Sequence, residues 1–144
     1  MGIFKNLFQK KRTFMIDDAD FGLIKGNKLN KDVILWEIKH NFFNKVINIY
    51  IEGNEEGIFK TQKEILVSAL NHESEIRQDT ENALQAELKN ADLHLNSIED
   101  YFDDPTISVN CEGFELSFQE KNEPYYIFNV QFKDNKLAGV SIDS

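Results

Sequence analysis

TQKEILVSALNHESEIRQDTENALQAELKN, residues Thr61 to Asn90, is the stretch on which the reading of the fold turns. Thr61-x-x-Glu64 has the form of a capping box, in which a hydroxyl and a carboxylate satisfy the first orphan N–H groups of a helix, so it predicts a start near Thr61. At 100° per residue, Ile65, Leu66, Ala69, Leu70, Ile76, Thr80, Ala83, Leu84, Leu88 and Ala91 share one arc of about 140°. The pattern predicts one long amphipathic helix over about residues 61 to 90. A kink or break near Ser74 is the alternative, because Asn71-His72-Glu73-Ser74 is poor in helix formers.

On either side the periodicity changes to two. Before the helix, Thr13 to Lys39 reads as extended chain, with turns at Asp17-Asp18-Ala19-Asp20 and Lys25-Gly26-Asn27-Lys28 around a short strand. Ile34, Trp36 and Ile38 alternate with their neighbours, and so do Ile47, Ile49 and Ile51, with a turn at His40 to Asn44 between them. After the helix, a short helical turn at Ser97 to Phe102 precedes alternation at Ile107 and Val109, at Phe114, Leu116 and Phe118, at Phe128, Val130 and Phe132, and at Val140 and Ile142. Strands, then a helix, then a meander give an α+β class. The expected form is a mainly antiparallel sheet of about six to eight strands with the helix packed on one face.

Composition fits a single α+β domain over residues 13 to 144. Twelve Phe, four Tyr and one Trp in 144 residues can fill a core without cross-links. The lone Cys111 points to a reducing, cytoplasmic setting. Residues 1 to 12 form a short basic amphipathic segment carrying four bases and no acids, while the whole chain carries −9. Such a body disfavours nucleic acid, and no apolar run is long enough for stable membrane association.

No motif carries chemistry. His40, His72 and His94 lack metal-ligand spacing, and the glycines form no phosphate-binding pattern, so the reading expects no metal, no cofactor and no enzyme. Charge patterning is more informative. Residues 61 to 104 hold eleven acids against three bases, and Glu75 and Asp79 turn away from the apolar arc toward Glu99-Asp100-Tyr101-Phe102-Asp103-Asp104. This acidic ridge, with Tyr101 and Phe102 as aromatic anchors and Phe42-Phe43 as a second contact, suits a protein with a basic surface. Glu73 and Arg77 fall inside the apolar arc with the spacing of an intrahelical ion pair. With Trp36 they outline the alternative, a small-ligand or enzymatic pocket between sheet and helix.

The order Asp20-Phe21-Gly22, Trp36, Ile47-Asn48-Ile49-Tyr50-Ile51, the long helix, Ile107-Ser108-Val109 and Phe114-Glu115-Leu116-Ser117-Phe118 resembles a group of small uncharacterised bacterial domains. Some of them occur beside polymorphic toxins as immunity proteins. The resemblance spans most of residues 15 to 142, rests on hydrophobic patterning and transfers no functional residue. It implies a non-enzymatic protein-binding domain whose partner is a cognate toxin.

Overall fold

The computed structural model describes residues 13–123 and 125–143, and the basic segment 1–12 lies outside them. Among the described residues one sheet of nine strands runs β1 (Thr13–Asp18), β2 (Gly22–Lys28), β3 (Ile34–Phe42), β4 (Lys45–Asn54), β6 (Phe102–Val109), β7 (Gly113–Glu120), β8 (Ile127–Lys133) and β9 (Lys136–Asp143). A two-residue strand, β5 (Gly57–Ile58), pairs with the end of β4. All neighbours are antiparallel except β4 and β6. A parallel pair needs a long crossover, and the helical segment supplies it.

Alternation settles which face is covered. Ile38, Ile49, Ile107, Leu116 and Val130 stand directly opposite one another across five strands, and each is at most 1% exposed. Burying each such side chain contributes about 1.5–3 kcal/mol, so this row runs the length of the core. The opposite face is polar and tied by its own bonds: Ser117 Oγ donates to Asn129 Oδ1, and Asn129 Nδ2 donates to Asp143 Oδ2.

The helical segment takes the broken form that the polar stretch Asn71 to Ser74 left open, and not the single continuous helix. Helix α1 (Lys60–Asn71) and helix α2 (Glu73–Lys89) meet at His72, whose φ of −117° and ψ of 31° leave the helical region. The His72 ring Nδ1 lies 2.7 Å from the Ser68 carbonyl oxygen and acts there as the donor. Asn and His are weak helix formers, and the break lets α1 lie over β4, β6 and β7 while α2 reaches β9. The apolar stripe survives because a single residue interrupts it: Leu66, Ala69, Ile76, Ala83, Leu84 and Leu88 are all buried.

The capping box does not form. α1 begins one residue early, with Phe59 as its N-cap and no side-chain cap bond. Gln62, buried in the first turn, instead accepts from Glu52 N at 3.0 Å and donates to the Glu52 carboxylate at 2.9 Å, binding the helix start to β4. A last single turn, α3 (Ile98–Tyr101), leads directly into β6.

Candidate functional site

Arg77, on the first turns of α2, organises the surface that the acidic stretch builds. Its Nε donates to Glu81 Oε1 at 2.9 Å, and its Nη2 meets the Glu99 carboxylate of α3 at 2.8 Å. The expected pair with Glu73 is replaced by these two. Glu99 on α3 offers the other arm of the guanidinium a second carboxylate, so one cation bridges two elements. Nη1 is buried and, among the described residues, has no hydrogen-bond partner. The guanidinium lies 5.3 Å from the centre of the Phe43 ring, whose π-face partly offsets that loss.

Phe43 reaches that position through an uncommon backbone. With Asn44 it forms the two-residue turn between β3 and β4, at φ values of 54° and 62°. Such turns favour Asn-Gly, since both central residues need positive φ. Here the ring is buried at 4% exposure and stacked on Phe42, with centroids 4.3 Å apart. Phe42 and Phe43 are therefore core residues under Arg77 and not a surface contact. Turn geometry turns both rings to the same side, whereas simple alternation placed them on opposite ones.

The acidic segment also divides. Phe102 is 2% exposed and packs on Phe118 and Phe128, so it anchors the domain and not a partner. Tyr101 is half-buried against the same cluster. Asp100 and Asp104 are exposed and Asp103 is half-buried; on α2, Glu75 is exposed and Asp79 half-buried. Asp104 has a φ of 48°, next to Pro105 where the β6–β7 register shifts, and a bulge of this kind re-aims side chains at the start of a strand. Burial pushes the Glu99 carboxyl up, but its own backbone N–H and the Arg77 guanidinium outweigh this and hold it below its ordinary value of 4.5.

Glu73, Arg77 and Trp36 are not brought together. Trp36 is fully buried, and its indole N–H donates to Asn54 O, near the end of β4. Arg77 sits at the other end of β3, beside Phe43, and the six residues from Trp36 to Phe42 span about 20 Å of strand. A pocket formed by these three has no geometric basis.

A second polar cluster escaped the sequence reading. Asp18 accepts from the backbone N–H groups of Asp20 and Phe21 at 2.9 and 3.1 Å, and Lys63 of α1 bonds both Asp18 and Asp20 at 3.0 and 2.8 Å. The turn expected at Asp17-Asp18-Ala19-Asp20 thus ties the β1–β2 hairpin to the helix. The Asx-turn was legible in Asp17-Asp18-Ala19-Asp20; its lysine, 45 residues away in sequence, was not. Beside it, an open groove of about 450 Å³ follows the outer side of α1 past Lys60, Val67 and His72. Among the described residues no three His, Cys, Asp or Glu side chains converge as a metal site, and no helix is long and apolar enough to cross a membrane. Comparison with protein-family models, curated proteins and solved structures returns no match.

Proposed function

We propose that the chain is a non-enzymatic binding domain that presents the acidic surface of α2 and the segment from Glu99 to Asp104 to a basic protein. One observation supports this reading above the rest. The exposed carboxylates of Glu75, Asp100 and Asp104 stand on backbone held by the Glu81–Arg77–Glu99 clamp and by the buried side chains of Ile98 and Phe102. Acids on a fixed frame lose little conformational entropy on docking, and their field accelerates encounter with a basic groove.

The resemblance to immunity proteins makes a toxin, neutralised by covering a basic active-site groove, the partner class to test first. Calorimetric titration of the full chain with the product of the adjacent gene provides that test. The expected result is binding that weakens with added salt and falls at least about tenfold in Glu75→Lys/Asp100→Lys, a pair chosen to leave the Arg77 clamp intact. Absence of binding, or binding indifferent to both salt and charge reversal, overturns the proposal.

A further inference from the structure

The outer edge of the sheet at β9 is self-complementary in a way that alternation alone does not reveal. Among the described residues β9 has one strand neighbour, β8, and its other edge presents unpaired backbone N–H and C=O groups. Seven of its residues pair with β8, and Ala138 is the extra residue where the register shifts, between Leu137 opposite Phe132 and Gly139 opposite Gln131. The bulge resets the alternation. Leu137, Val140 and Ile142 all face the helix-covered side with Phe132, Val130 and Phe128, while Lys136, Gly139, Ser141 and Asp143 face the polar side.

With Ala138 out of the count, the paired positions are symmetric about Val140. A second β9 laid antiparallel on a twofold axis through Val140 places Gly139 opposite Ser141, Leu137 opposite Ile142 and Lys136 opposite Asp143, every pair on a common face. Without the bulge the Leu137–Ile142 and Lys136–Asp143 pairs would fall on opposite faces and could not form. Leu137 and Ile142 are the exposed apolar side chains of this edge, at 43% and 45%, and each would be covered by the other's copy. The only charged residues of the strand are Lys136 and Asp143, one at each end, so both ends of the pairing carry opposite charges. Asp143 already accepts from Asn129 Nδ2 at 2.7 Å, which steadies it, and a carboxylate has further acceptor capacity for an ammonium. The opposite edge, β1, offers no such match, because it contains Asp17 and Asp18 and no base.

We infer that β9 is a homodimer interface, in which two copies join edge to edge about Val140 into one continuous sheet. This surface is separate from the acidic one above and stands or falls independently of it. The full chain carrying Cys111→Ser, which removes the one native thiol, provides the background for the test. In that background Val140→Cys should cross-link to a covalent dimer under oxidised glutathione, because directly opposed antiparallel residues lie about 4.5–5.5 Å apart at Cα, within disulfide reach. Leu137→Cys, which faces Ile142 of the other copy, should not.

Sedimentation equilibrium supplies the second arm. Lys136→Glu and Asp143→Lys should each weaken association by about tenfold, and the double exchange should restore it. A chain that remains monomeric, or a dimer that cross-links no faster through residue 140 than through 137, or one indifferent to the charge exchanges, overturns the inference.

Discussion

At the scale of single residues, two charged side chains do more than composition suggests. Asp18 is 10% exposed, and although burial pushes its carboxyl up, the N–H groups of Asp20 and Phe21 and the Lys63 ammonium outweigh this and hold it below the ordinary 3.8. A carboxyl with a depressed folded pKa stabilises fully above its unfolded value and loses that contribution as pH falls through the folded one. Asp18→Ala should cost about 1–2 kcal/mol at neutral pH, the sum of a lost turn cap and a lost ion pair. Asp18→Asn should cost less, because its amide oxygen can still accept the turn bonds. Urea denaturation of Asp18→Asn beside the native chain checks the sign: the gap should close well below pH 3.8, where the native carboxyl is also neutral. Arg77 is the other case. Arg77→Met should cost about 1–2 kcal/mol from ion pairs a quarter to two-fifths exposed and one cation–π contact. Combined with Glu99→Gln, the loss should fall short of the sum of the two single losses, which a double-mutant cycle reads directly.

Turns and strand ends behave as elements, and two with the same backbone respond differently to the same change. Phe43-Asn44 and Asp134-Asn135 both join hairpins with two positive φ values. Asn44 is exposed, so Asn44→Gly should stabilise by about 0.5 kcal/mol by relieving a left-handed side chain. Asn135 donates from Nδ2 to Ser68 Oγ of α1 at 2.8 Å, so Asn135→Gly should give no gain. Equal thermal shifts in the two variants would refute this contrast. Gly113, first in β7, is needed for close approach, since a Cβ there would lie 2.0 Å from the Phe132 carbonyl oxygen. Gly113→Ala should therefore cost at least about 2 kcal/mol in denaturant titration, through loss of β7–β8 register.

Across the whole molecule, the sheet consists of two antiparallel halves, β1 to β4 with β5 and β6 to β9, joined by a parallel seam of three residue pairs and by the helices that cross it. Ile107, fully buried, occupies the centre of that seam opposite Ile49. Ile107→Ala should cost about 3 kcal/mol, and because the core row runs unbroken through it, the chain should still unfold as one unit. Trp36, the only tryptophan, reports on the first half, and far-UV circular dichroism follows the helices. Coincident transitions are expected, whereas separated ones would mean that the seam does not couple the halves. The acidic ridge and the β9 edge both depend on this frame holding α2 across to the last strand.

The amino-acid sequence by itself determined the α+β class, the mainly antiparallel sheet and the buried stripe of the helical segment, because each follows from a local period of 2 or 3.6 residues. It marked the Asx-turn at Asp18, the alternation around Trp36 and the acidity from residue 61 to 104. Only the tertiary structure decided the break at His72, the exchange of Glu73 for Glu81 and Glu99 at Arg77, and the burial of Phe42, Phe43 and Phe102. It alone revealed the symmetry of β9, which depends on one bulged alanine. The reason is common to all four. Periodicity reports which way a side chain points from its own element, whereas its partner is set by elements distant in sequence and by backbone angles that leave the regular pattern.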